Sequence, residues 1–167
     1  MVIRRVKWAV LAVGEGDAEV ALLQHLKTIY IARSCGSTLR IQQAYGKGAG
    51  NVVRHAIRYG QGQGYDRCIA LFDTDTDYTA DVKALAKASS LIEVPSDPCL
   101  EALLLRIHGD VKIRISEQHK AEFSRRFGGR IQDVGVLETS FPRDVFEEAR
   151  KRENLIHLLI NTFGVPR

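Results

Sequence analysis

Residues 67–81 read RCIALFDTDTDYTAD, an unbroken apolar run from Cys68 to Phe72 that ends against four acids, Asp73, Asp75, Asp77 and Asp81. A strand with no polar break suits a parallel sheet covered by helices on both faces. Working outward, VKWAVLAV at 6–13 is a similar run and ends in the turn Gly14-Glu15-Gly16. Asp17 then caps a helix predicted over 18–32, where Val20, Leu23, Leu26, Lys27 and Tyr30 recur at helical spacing. Leu39, Ile41 and Gln43 predict a strand at 38–44, followed by the glycine-rich GKGAGN (46–51) and a helix over 51–60. Past the loop GQGQGY and the 68–72 strand, a helix is expected at 78–88 and a strand, SLIEV, at 90–94.

The order β-α-β-α-β-α-β predicts an α/β fold, a four-stranded parallel sheet sandwiched by helices. In such sheets ligands bind beyond the carboxyl ends of the strands, where Glu15 and Asp73 fall. SDPCLEALLLRIHG (96–109) reads as a further helix with Asp97 as N-cap and Pro98 at the first helical position. Its stripe of Leu100, Leu103, Leu104 and Ile107 faces the core, and Glu101, Leu105 and His108 share another side. Residues 110–167 are more charged and predict helices at about 116–126, 143–151 and 153–163. The expected organisation is a core over 1–112 and a small, mainly helical C-terminal extension over 113–167, packed as one globular unit.

The composition bounds the function. Hydrophobic content of 45% over 167 residues supplies a core for one domain and argues against disorder. A net charge of +4 suits a nucleic-acid partner without requiring one. Cys35, Cys68 and Cys99 are too widely spaced for a C-x-x-C zinc site and fit reduced thiols in a cytoplasmic protein. The N-terminus lacks a small-residue cleavage site and the roughly 18 apolar residues of a membrane span, so it reads as a strand and no membrane is expected.

The acids form a constellation. Asp73 and Asp75, two apart in an extended segment, place their carboxylates about 6–7 Å apart on one side. Carboxylates that close repel unless protonated or bridged by a cation, and hard ions such as Mg²⁺ or Mn²⁺ prefer such oxygens. Glu15 and Glu19 are four apart at a strand-to-helix junction and point to one side, although Glu19 also suits the positive end of the helix dipole. Asp77 and Asp81 read as acids that cap and solvate the next helix. GKGAGN does not match a P-loop, nor GEGDAE a dinucleotide fingerprint. Lys47, with Arg54 and Arg58 four apart on one helical side, are the candidate phosphate contacts. His25 and His55 read as surface or packing residues, and His108 as a helix-end residue interacting with the dipole.

Together these residues resemble the Toprim domain: Glu15 after the first strand and D-x-D, Asp73 and Asp75, after the third. The likeness over about residues 6–109 is nearest to RloB-like proteins and more distant to the overcoming-lysogenisation-defect nucleases. Both groups carry E-G-x-x-E, here Glu15, Gly16 and Glu19. The RloB-like segment S-N-P-C-F-E is matched by Ser96-Asp97-Pro98-Cys99-Leu100-Glu101 followed by ALLLRIH, with Asp97 in place of Asn and Leu100 in place of an aromatic. No glycine follows the D-x-D as it does in many Toprim domains. The resemblance implies Mg²⁺-type ions held by Glu15, Glu19, Asp73, Asp75 and Glu101, with Glu15, Asp73 and Asp75 catalytic. It also implies phosphodiester cleavage on DNA or RNA, often in defence-type systems. Two rival readings stand beside it. One is a phosphohydrolase or phosphotransferase with Asp73 as nucleophile. The other is a non-catalytic module that binds nucleic acid or a partner protein through the basic residues of 110–167. The oligomeric state stays open.

Overall fold

A computed structural model describes residues 8–31 and 36–164. The run that ends in Asp73 is β3 (Arg67–Asp73), and the chain before it forms β1 (Trp8–Gly14), α1 (Asp17–Tyr30), β2 (Ser37–Gln43) and α2 (Gly48–Gly60). After it come α3 (Ala80–Ala88), β4 (Ile92–Ser96) and α4 (Leu100–Ile107), then α5 (Ser116–Phe127), α6 (Val136–Ser140), α7 (Arg143–Ala149) and α8 (Asn154–Phe163). All strand pairs are parallel, in the order β2-β1-β3-β4. The expected α/β sheet and helical C-terminal region are both present. Residues 6 and 7 of the first predicted strand, residue 32 of the first predicted helix, and Cys35 lie outside the described residues.

Alternation along the buried strands sorts side chains to two cores. Val10, Ala12, Ile69, Leu71 and Val94 point to the side covered by α1, α4 and the C-terminal helices. Leu11, Val13, Ala70 and Phe72 meet Val52, Val53 and Ala56 of α2 and Val82 and Ala86 of α3 on the other side. Phe123, Phe141, Phe146, Ile156, Leu159 and Phe163 belong to the first of these cores, so residues beyond 112 bury themselves with the sheet. Trp8 Nε1 donates to the Thr162 carbonyl at 3.3 Å, tying β1 directly to α8. Among the described residues no helix is long and apolar enough to cross a membrane.

Several element boundaries differ from the sequence reading. β4 runs over 92–96, because its register with β3 pairs Ile69 with Ile92 and Asp73 with Ser96. The helix after SDPCLE starts at Leu100 with Cys99 as N-cap. Asp97 does not cap it; its carboxylate accepts instead from Thr74 Oγ1 at 2.7 Å, and the Asp97–Pro98 peptide is cis. Asp77 does not cap α3 either, since that position belongs to Thr79. Asp77 Oδ1 accepts from Gly50 N–H at 3.2 Å, at the start of α2. A side chain at Gly48 or Gly50 would collide with the Asp77 carboxylate, which accounts for two glycines of GKGAGN. Asp81 is exposed in the first turn of α3, as expected. His25 is buried, with Nε2 2.7 Å from the Phe141 carbonyl, a packing residue as expected. His108 is not a charged partner of the helix dipole. Burial lowers its pKa, and its ring packs against Phe127 and Phe141 with Nε2 2.8 Å from the Ser140 carbonyl.

Gly14 marks where β1 meets α1 most closely. A Cβ there would lie 2.8 Å from the Glu19 Cβ and 3.0 Å from the Val20 nitrogen, atoms of backbone or adjoining it that cannot swing aside. Gly14→Ala is therefore expected to cost about 1–3 kcal/mol, as overpacking does. Thermal unfolding would read this as a Tm loss of roughly 5 °C; an unchanged Tm would show that the junction is loose.

Candidate active site

The chain leaves β1, moves to β2 on one side and returns to β3 on the other, so the strand order reverses between β1 and β3. At such a switch point the first turns of the two connections diverge and leave a crevice beyond the strand ends. Glu15 follows β1 and Asp73 ends β3, one at each lip of it. The resulting cleft, about 380 Å³, is lined by Glu15, Glu19, Asp73 and Glu101, with Lys120 and Arg130 contributed from beyond residue 112.

Backbone donors fix each of the first three carboxyl groups. Glu15 Oε2 accepts from the Asp73 N–H at 3.2 Å, joining the two lips. Asp73 Oδ1 accepts from the Leu100 N–H at 2.9 Å, the first residue of α4, where unpaired amides favour negative charge. Glu19 Oε2 folds back to the Gly16 N–H at 2.8 Å and so also closes the N-terminus of α1. The helix-end role weighed for Glu19 is thus real, and it coexists with a place in the cleft. Glu101, in the first turn of α4, is 9% exposed.

Crowding these groups out of water changes their ionisation. Burial, and then the neighbouring Glu19 and Glu101, push the Asp73 carboxyl up to about 8, against the opposing Leu100 hydrogen bond. Glu19 rises to about 7, chiefly through burial and further through Glu15 and Glu101, while its backbone hydrogen bonds work the other way. Burial opposes the Lys120 ammonium, yet Glu101 and Asp73 outweigh it and hold its pKa above the ordinary value. Buried Cys99, beside these acids, is raised to about 12 mainly by burial and stays a thiol. Near neutral pH the cleft thus retains protons on its acids unless another positive charge takes their place.

Asp75 is not brought into this lining. β3 ends at Asp73, and Thr74 N–H turns away to the carbonyls of Ser96 and Pro98, which breaks the extended geometry that would place the two aspartates side by side. Asp75 is exposed and accepts from Ser116 Oγ at the start of α5. Lys47, Arg54 and Arg58 do not line the cleft. Lys47 is the exposed N-cap of α2 in a left-handed conformation, one residue past Gly46, which does line it. Arg54 and Arg58 are exposed further along α2. Lys120, Arg130, Ser124 and Gln132 complete the cleft from the C-terminal region. Their sequence neighbourhood carries mixed charges, and only the packing of α5 on α4 points them inward.

An all-carboxylate oxygen set that holds protons for want of countercharge suits a hard divalent cation. As they stand, the side chains are spread over the cleft: among the described residues no group of three His, Cys, Asp or Glu is arranged as a ready metal site. No family model matches the chain, and neither a curated protein nor a solved structure is found similar to it.

Proposed function

We propose that the protein is a divalent-cation-dependent phosphodiesterase that cleaves nucleic acid. The observation that carries this reading is the meeting of Glu15, Glu19, Asp73 and Glu101 in one cleft at the β1/β3 switch point, faced by Lys120 and Arg130. The resemblance to Toprim and RloB-like proteins in E-G-x-x-E, D-x-D and SDPCLE supports it independently. Two free thiols, Cys68 and Cys99, suit the reducing cytoplasm as its setting.

Asp73, Glu15 and Glu101 would hold Mg²⁺ or Mn²⁺, with Glu19 beside them and Asp75 at the rim near Ser116. When bound, such an ion supplies Lewis-acid polarisation of a phosphoryl oxygen and a more acidic water. The Leu100 amide keeps the Asp73 carboxylate aimed into the cleft. Glu15 gives one oxygen to the Asp73 amide and keeps the other to accept a proton from the attacking water. Lys120 sets positive charge where negative charge builds on the phosphate, and it can do so because the acids keep it protonated. Arg130 stays largely exposed while paired with Asp133 and can turn a donor to the substrate backbone.

The test is twofold. Single- and double-stranded DNA and RNA are incubated with Mg²⁺ or Mn²⁺, and cation binding is followed by calorimetry. Absence of cation binding at millimolar concentration in the folded protein would sink the reading and favour a non-catalytic binding module.

The protonation of the cleft gives a further expectation. Asp73 and Glu19 have folded-state pKa values raised from 3.8 to about 8 and from 4.5 to about 7. Their contribution to stability is thus complete below about pH 4 and is lost as pH rises through 7 and 8. Without divalent ions the Tm should fall between pH 5.5 and 8.5. Millimolar Mg²⁺ should restore several degrees at pH 8 and little at pH 5.5, with proton release on binding. Equal stabilisation at both pH values would count against cation binding by these carboxylates.

A further inference from the structure

Strand β2 breaks the pattern of its neighbours. Leu39 and Ile41 pack into the core shared with α1, but the alternate residues Arg40 and Gln42 are polar and face the side on which α2 lies. A parallel sheet is ordinarily covered on both faces. Here α2 packs over β3 and β1, leaving the β2 face as an open groove of about 280 Å³. Arg40 and Gln42 line it from the sheet, Arg58 and Tyr59 from the helix.

The arginines of this face are set apart by their lack of partners. Among the described residues, arginines elsewhere are engaged: with carboxylates at 106, 114, 125, 130 and 150, with rings at 67, 126 and 143, and with the Ile107 carbonyl at 152. Arg40, Arg54 and Arg58 make no ion pair, hydrogen bond or ring contact, and no acid lines the groove. Desolvating these three therefore breaks no internal interaction. Tyr59 is 44% exposed and backed by the His55 ring, with centroids 4.4 Å apart and planes at 19°. Such a braced aromatic can stack on a base. The turn between β2 and α2 then leads to the acids: Tyr45 is 78% exposed, Tyr45 and Lys47 both have positive φ (59° and 67°), and Gly46 between them lines the acid cleft. Non-glycine residues in that conformation are uncommon, and here it sets an aromatic and a cation at the cleft rim.

We propose that the groove between α2 and β2 binds single-stranded nucleic acid, with phosphates on Arg40, Arg54 and Arg58 and a base on Tyr59, and leads the strand past Lys47 to the acid cleft. Binding itself stands apart from the cleavage reading; only the direction of the strand rests on it. Duplex is disfavoured because its bases are stacked internally and offer Tyr59 no face.

The experiment is fluorescence anisotropy of labelled 16-nucleotide single strands and the matching duplex, with wild-type full-length protein in EDTA, so that binding is read without hydrolysis. Single strands are expected to bind at least fivefold tighter than duplex, with log Kd rising against log salt at a slope of about 2, as for three phosphate contacts. R40Q/R58Q should weaken binding tenfold or more and lower the slope by about 1. Tyr59→Ala should weaken it about fivefold or more with the slope unchanged. All three positions are exposed or nearly so, and unchanged far-ultraviolet circular dichroism confirms the fold of each variant. The proposal is overturned if duplex binds as well, if R40Q/R58Q binds like wild type, or if polyglutamate of equal charge competes equally, which would mark an acidic protein partner. Binding that behaves as expected without any hydrolysis in Mg²⁺ would remove the cleavage reading alone. Hydrolysis that survives with groove variants unaffected would remove this one alone.

Discussion

Asp73→Asn is expected to lower cation-dependent hydrolysis by roughly 10³-fold, the scale on which preorganised charge at a reacting centre acts. The substitution keeps the shape of the side chain and an oxygen that can accept from the Leu100 N–H, so the start of α4 keeps its partner. It removes the negative charge that shares the cleft with Glu19 and Glu101. Two further readouts separate loss of charge from loss of fold. In EDTA at pH 8 the variant should be more stable than the parent, because asparagine resembles the protonated acid and carries no buried charge to desolvate. Each pKa unit of that penalty corresponds to about 1.4 kcal/mol, and about 2–4 °C of Tm per kcal/mol is usual for this chain length. Calorimetry should show weakened Mg²⁺ binding. Full activity in the variant, or a Tm that falls with pH as steeply as in the parent, would remove Asp73 from its assigned role.

Phe141→Ala is the substitution expected to cost most in stability. Its ring is fully buried among Phe123, Phe127, Phe146 and His108, and its carbonyl meets His25 of α1. Truncating a buried phenylalanine costs about 3–5 kcal/mol, or roughly 10 °C of Tm here. The outcome also decides how the chain is organised. Trp8 is the single tryptophan, lies on β1, and bonds to Thr162 of α8. Its fluorescence should therefore lose the native signal at the same lowered midpoint as helical circular dichroism. A two-step transition, with the Trp8 signal outlasting the helical loss, would divide the chain near residue 112 into separate units.

The sheet was legible in the sequence because a strand buried on both faces leaves an uninterrupted apolar run, as at Cys68–Phe72, and because helical spacing is distinct from it. Boundaries were less so. SLIEV has more strand-forming residues than IEVPS, but pairing with β3 fixes β4 by register, which a linear reading does not contain. Glu15 and Asp73 could be placed together from the rule that ligands gather at strand ends, and Glu101 followed from its likeness to the RloB-like segment. Asp75 misled because spacing of two implies one side only while the strand continues, and it stops at Asp73. Lys120 and Arg130 were among many charged residues of the C-terminal region, and nothing local distinguishes them. Their place is set by the contact of α5 with α4, a tertiary fact. The glycines of GKGAGN signalled a special turn, but the Asp77 carboxylate they accommodate is 27 residues from Gly50 in the chain.

The cleft draws on residues spread from Glu15 to Arg130, and its acids are aimed by amides of other elements: Asp73 by α4, Glu15 by β3. Assembly of the cleft therefore comes late by construction. A chain still emerging from the ribosome holds Glu15 and Asp73 long before Leu100, Glu101 and Lys120 exist to confine them. Such a partial chain has acids but no enclosed pocket, and any chemistry of the cleft waits until synthesis has passed α5. Completion of the polypeptide then acts as the first safety catch on the protein, set by topology alone.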